Sequence, residues 1–123
     1  MAGRGERVAV SSTGPTVKDE VDPHFGRCAQ FIIAEDGRTE VLVNAAKNSS
    51  EGAGLRAAQL MIDNGVTAVI TGSVGPKAFD ALSEAGIKVY TGCSGRVEDA
   101  LAKCRGNELE ETKGPTSSGH RGT

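Results

Sequence analysis

The chain has 123 residues and a formal net charge of −2. That length suits one domain with a real core, and the slightly acidic balance argues against a general nucleic-acid surface, which would be basic. With no Trp, one Tyr and three Phe, the chain also lacks the aromatic platforms on which single-stranded bases stack.

Met1 to Glu6 is polar and has no apolar h-region, and later apolar runs are only a few residues long. The expectation is a soluble cytoplasmic protein without a membrane span. Val8-Ala9-Val10 reads as a buried strand reaching about Ser12. Ser11 to Val21 is polar, with a turn at Gly14-Pro15. After a loop at 21–28, Ala29 to Glu35 reads as a second strand, with Phe31 and Ile33 on one face and Ile32 on the other. Asp36-Gly37 separates it from a third β-rich run, Thr39 to Ala45. An Asp-Gly pair between such runs signals a type I′ hairpin, because both central residues need positive φ.

Lys47 to Gly54 is a loop, with Ser49 and Ser50 as candidate N-caps. Leu55, Ala58, Met61 and Ile62 recur at helical spacing, and Gly65 ends that helix. Thr67 to Thr71 is a short strand. Gly72-Ser73-Val74-Gly75-Pro76 leads into a second helix striped by Ala78, Phe79 and Leu82, with Pro76 suited to the first helical position and Gly86 as the stop. Ile87 to Thr91 is the fifth strand. Gly92-Cys93-Ser94-Gly95 opens a third helix striped by Val97, Ala100, Leu101 and Cys104. The order is β-β-β-α-β-α-β-α. Alternation in the second half predicts parallel strands joined by right-handed crossovers, and the hairpin adds antiparallel strands to the same sheet. The expected domain is 7–105, followed by a polar, disordered tail over 106–123.

Chemistry concentrates in the loop Val21-Asp22-Pro23-His24-Phe25-Gly26-Arg27-Cys28. It carries a carboxylate, an imidazole, a guanidinium and a thiol on a backbone shaped by Pro23 and Gly26. A second feature is a recurrence: glycine-rich turns open all three helices, at 49–54, 72–75 and 92–95. In a parallel sheet such turns lie along one rim. Exposed N–H groups and helix dipoles there favour an anion, and glycine permits close approach. The alternative is ordinary short βα turns.

His24 is a candidate metal ligand, proton shuttle or surface histidine, with Asp22 as its orienting partner or as a turn cap. Arg27 faces an anion or pairs with a carboxylate. Cys93, just ahead of a helix, is a candidate soft ligand, because a helix N-terminus favours thiolate. Cys28 opens the second strand and points either way. Cys104 sits on an apolar stripe and reads as a structural thiol. His120 lies in the polar tail as an auxiliary ligand at most. Three Cys without CxxC spacing fit reduced thiols better than disulfides. The sequence has no GxSxG, GxxxxGK[ST], HExxH or complete dinucleotide fingerprint. The first strand ends in Ser11-Ser12 with no acid, which argues against a two-metal nuclease.

The His-Phe-Gly loop with Phe31, together with Gly52-Ala53-Gly54, Val69 to Pro76 and Gly86 to Tyr90, resembles the dinitrogenase iron–molybdenum cofactor biosynthesis family of NifX/NifB type. The likeness spans about Arg7 to Cys104. It implies a three-layer α/β/α, ribonuclease H-like fold with a five-stranded mixed sheet and no nuclease activity. It also implies binding of iron–molybdenum cofactor or a related metal–sulfur cluster. His24 matches the histidine of the family's loop and Cys28 the cysteine that often ends it. No CxxxCxxC is present, so a non-catalytic carrier is expected rather than an assembly enzyme, with donor or acceptor proteins of cluster assembly as partners and neither nucleic acid nor membrane.

The expected metal contacts are His24, Cys28 and Cys93. The expected cradle is His24, Arg27, Gly72, Ser73, Gly75, Gly92, Ser94 and Gly95. Two rival readings are an interaction or regulatory domain binding no cluster, and a thiol redox enzyme acting through Cys93.

Overall fold

The computed structural model describes residues 6–49 and 52–115. Its strands are β1 (Val8–Ser12), β2 (Gln30–Glu35), β3 (Arg38–Val43), β4 (Ala68–Ile70) and β5 (Lys88–Tyr90). Its helices are α1 (Ala53–Asp63), α2 (Pro76–Glu84) and α3 (Val97–Arg105). The strands form one sheet in the order β3-β2-β1-β4-β5. β1, β4 and β5 are parallel, and β2 runs antiparallel to both β1 and β3. The expected mixed five-stranded α/β fold is therefore present.

The hairpin turn forms as its chemistry requires: Asp36 and Gly37 have φ of 53° and 78°. Strand alternation then sorts the core. Phe31, Ile33, Val69 and Val89 pack with Ala57, Met61, Ala78 and Leu82 of α1 and α2. Ile32, Val10 and Ile70 point to the other face and pack with Val97, Ala100 and Leu101 of α3. Two helices thus cover one face and one helix the other, giving the three layers. At the amino end of β1, Arg7 ties the hairpin down through Glu35 at 2.9 Å and Glu40 at 2.7 Å.

Two local expectations change. α1 starts from Gly52, whose φ of 72° is left-handed, and no side chain caps it. Ser49 instead offers its carbonyl to Arg27, and Ser50 lies outside the described residues. Part of the stretch read as a loose tail is also tied to the sheet. The Thr112 N–H donates to the Val89 carbonyl at 2.7 Å, and Leu109 packs on the α3-side core. His120 falls outside the described residues. Among the described residues no helix is long and apolar enough to cross a membrane.

Candidate functional site

The loop after Val21 lies across the carboxyl ends of β1 and β4 and is pinned from both sides. Asp22 anchors its start. Its N–H donates to the Ser11 carbonyl at 2.8 Å, and its carbonyl accepts the Ser11 hydroxyl at 2.7 Å. The Thr71 hydroxyl lies 2.7 Å from Ser11 Oγ, so a buried pair from β1 and the end of β4 holds this one carbonyl. Pro23 then passes directly over Gly72. A Cβ on Gly72 would stand 2.5 Å from Pro23 Cα, so a side chain there would displace the loop. The N–H and hydroxyl of Ser73 both donate to the Pro23 carbonyl, at 2.8 and 2.9 Å.

The loop's far end is held by Asn44, which is buried. Its side-chain amide donates to the carbonyls of Gly26 at 3.2 Å and Cys28 at 2.9 Å. Its side-chain oxygen accepts the Ala46 N–H at 3.1 Å. Gly26 meets the start of α1, where a Cβ would lie 2.8 Å from Gly54 Cα. Between the two anchors Phe25 plugs into the core, its ring 5.4 Å from that of Phe31. Sequence reasoning did not single out Ser11, Thr71 or Asn44 for this role. The available signal was three polar side chains at the ends of otherwise apolar strands, where a buried polar group needs a partner.

His24 stands out from this frame. Its backbone bridges in parallel to Ser73, and its side chain is 70 % exposed. Its N–H donates to Asp22 Oδ1 at 2.9 Å, and its Nδ1 lies 3.9 Å from the same oxygen. Asp22 therefore caps the turn and backs the imidazole at once. Ser73 and Gly75 lead from this point into α2, which has Pro76 in its first turn, no acidic residue there, and exposed Lys77. His24, Gly72, Ser73 and Gly75 are thus brought together on one open rim.

The other expected site residues divide differently. Arg27 is a brace, its Nη1 donating to the carbonyls of Lys47 at 2.9 Å and Ser49 at 2.8 Å. Cys28 belongs to the sealed core, not to the open face. Its thiol is pushed up to about 12, first by burial and then by the nearby Asp22 charge. A thiol sealed in this way is out of reach of a ligand resting on the open face. Cys28 lies two residues before β2, and the end of the loop turns it into the same core cluster as Phe25 and Phe31.

Cys93 is half-buried, and burial raises its pKa, which works against the expected thiolate. The helix it was expected to feel begins four residues later, at Val97, with Arg96 as N-cap.

The 92–95 turn is also less open than its glycines suggest. The Gly92 N–H donates to the Gly72 carbonyl at 2.8 Å, and the Cys93 N–H to the Thr71 carbonyl at 3.2 Å. The first amides of α3 are taken as well: Val97 donates to the Asp19 carbonyl and Glu98 to the Val17 carbonyl, each at 2.9 Å. Glu98 and Asp99 add negative charge to that turn. Ser94 and Gly95 remain exposed, with the Gly95 carbonyl accepting the Val21 N–H at 2.8 Å. This end of the rim is poorly suited to an anion.

Among the described residues no three His, Cys, Asp or Glu side chains gather closely enough to hold a metal ion. A cavity of about 710 Å³ lies between α3 and the β2–β3 hairpin, and none of residues 22–28 lines it. The His24 side chain stands on an exposed part of the rim.

Residues 6–107 match the model of the family described as "Dinitrogenase iron-molybdenum cofactor". The chain belongs to this family. It is 32 % identical over 102 residues to an uncharacterised protein of Methanocaldococcus jannaschii, covering 79 % of this chain and 86 % of that one. Among solved structures it is similar to the apo form of the orange protein from Desulfovibrio gigas. That pair shares 38 % identity and a TM-score of 0.88, over 90 % of this chain and 96 % of the other. A protein from Thermotoga named for NifB and solved by NMR is 35 % identical, with a TM-score of 0.75, covering 86 % of this chain and 92 % of that one.

Proposed function

We propose that this chain is a non-catalytic carrier that holds iron–molybdenum cofactor, or a related anionic metal–sulfur cluster, on the His24 rim. The observation that carries the reading is an exposed imidazole, backed by Asp22 and set against the open start of α2 on a loop pinned at both ends. A metal–sulfur cluster is bulky and offers sulfides as hydrogen-bond acceptors, so a platform suits it better than a closed pocket. The imidazole supplies one direct bond to metal, and the amides, the dipole of α2 and Lys77 balance the negative charge. A single protein–metal bond also suits release to an acceptor protein. Family membership supports the cargo class, and the similar orange protein is described in its structure as an apo form.

The site is narrower than the sequence suggested. His24, Gly72, Ser73 and Gly75 form it. Arg27 braces it from behind, and Cys28 and Cys93 contribute no metal bond.

The test is anaerobic loading with iron–molybdenum cofactor, followed by desalting and metal analysis. Wild-type protein should retain iron and molybdenum, and His24→Ala should lose most of both while unfolding at the same temperature. Equal retention by the variant removes His24 from the site. No retention by wild type favours an interaction domain that uses the same loop on a partner.

A further inference from the structure

Ser11 and Thr71 are wholly buried, yet both are polar. The residues leading to them are apolar: Val8, Ala9 and Val10 precede Ser11 in β1, and Ala68, Val69 and Ile70 of β4 precede Thr71. A buried hydroxyl must be hydrogen-bonded, whereas replacing both partners of such a bond by apolar groups of the same shape is nearly neutral for stability. Packing alone therefore does not call for hydroxyls at these two positions. What they hold is one peptide unit beside the candidate metal ligand.

The N–H and the carbonyl of Asp22 both bond to Ser11. The Ser11 proton is taken by that carbonyl, so the proton between the two hydroxyls, 2.7 Å apart, comes from Thr71. The result is a relay of two hydroxyls ending on one carbonyl, in which each bond polarises the next. Thr71 is fixed in turn. Its N–H donates to the Tyr90 carbonyl at 2.9 Å, and its carbonyl accepts the Cys93 N–H at 3.2 Å. The next residue, Gly72, is the one crossed by Pro23. One side chain at the end of β4 thus sets the loop in register with the 72–75 turn, where the His24 backbone bridges to Ser73.

The Asp22 held in this way carries the carboxylate that accepts the His24 N–H at 2.9 Å. Nδ1 is the ring nitrogen turned toward that carboxylate, 3.9 Å from Oδ1. A carboxylate on this side favours the neutral tautomer with its proton on Nδ1 and leaves the Nε2 lone pair for metal. We propose that Ser11 and Thr71 are positioning residues for the cargo, acting through Asp22 to hold His24 in the form that binds metal at Nε2. This inference rests on the carrier reading. Ser12 supplies an internal control. It is as buried as Ser11 and next to it in β1, but its hydroxyl bonds to Gly14 rather than to Asp22.

The experiment compares full-length wild type with Ser11→Ala, Thr71→Val, Thr71→Ser and Ser12→Ala. On protein without cargo, long-range proton–nitrogen NMR of the neutral His24 ring gives the share of each tautomer. On protein loaded anaerobically with iron–molybdenum cofactor, release is timed after adding an excess of a molybdenum-binding thiol. Ser11→Ala and Thr71→Val should lower the share protonated at Nδ1 and release cargo about tenfold faster, the usual effect of losing a group that orients a metal ligand. Thr71→Ser keeps the hydroxyl and should match wild type in both measurements. Ser12→Ala should lose stability to urea and still match wild type in both. Wild-type tautomer shares and release rates in Ser11→Ala and Thr71→Val overturn the positioning role. An equal change in Ser12→Ala overturns it as well, because the effect would then be general loosening of the strand end. Failure of wild type to load overturns the carrier reading, whereas the tautomer measurement uses no cargo and decides the role of Ser11 and Thr71 by itself.

Discussion

The two faces of the sheet end at the same rim in opposite ways. On the α1–α2 side the loop 22–28 is drawn down by Phe25 and Cys28, and His24 is left standing beside the start of α2. On the α3 side the segment 17–21 lies across the helix start, and its carbonyls take the amides of Val97 and Glu98. Both helices follow a strand and a glycine-rich turn, so by sequence they are equivalent anion sites. The difference teaches that a helix N-terminus attracts an anion only where no other part of the chain has reached its amides first.

The thiols offer the largest test of that asymmetry. Cys28 on the α1–α2 side keeps its proton to about 12, whereas an unfolded thiol loses it near about 8.5. The unfolded chain therefore sheds a proton first as pH rises. The stabilisation from keeping Cys28 neutral is complete below about pH 8.5 and drains away toward pH 12, by up to about 5 kcal/mol. Urea titrations at pH 7 and pH 10.5 should show the fall, and Cys28→Ala should flatten it. Against native protein, iodoacetamide should modify Cys93 and Cys104, both half-buried, well before Cys28. Equal rates at all three would mean that the loop opens readily, and the rigid frame would be lost.

The glycines give the next largest effect. Gly72→Ala sets a Cβ 2.5 Å from Pro23 Cα and should cost about 3 kcal/mol, as overpacking does, with a matching loss of cargo retention. Gly92→Ala has no atom within 4 Å of the new Cβ and pays only for its φ of 72°, about 1 kcal/mol. Equal costs in urea unfolding would erase the distinction between the two turns.

The smallest effect concerns charge. Glu98 sits in the first turn of α3, 3.4 Å from Lys18 and 3.7 Å from Arg96. Because these pairs are largely exposed, Glu98→Gln should change stability by less than about 1 kcal/mol and leave cargo retention as it was. A clear rise in retention would place cargo on the α3 start and overturn the comparison.

How much of this was legible in the sequence depends on the range of the force involved. The Asp36-Gly37 hairpin, the strand alternation that sends Phe31 and Ile32 to opposite faces, and the helical stripes are written in neighbouring residues. Dihedral preference and side-chain period act locally, so element order and the three layers follow directly. The exposed His24 was legible for the same reason, since it sits between an acid and a guanidinium.

Contacts between distant segments decided the rest. Cys28 was ambiguous until Phe25 and Asn44 fixed how the end of the loop enters the core. Arg27 became a brace only because Lys47 and Ser49 turn their carbonyls toward it. Ser11 and Thr71 meet across 60 positions to hold one carbonyl of the loop. The amides of α3 close because a segment far earlier in the chain crosses them. The sequence by itself determined which elements exist and where polar chemistry is concentrated. Only the tertiary structure decided which of those polar groups still face outward, because a hydrogen bond satisfied by a distant partner leaves no trace in the residues beside it.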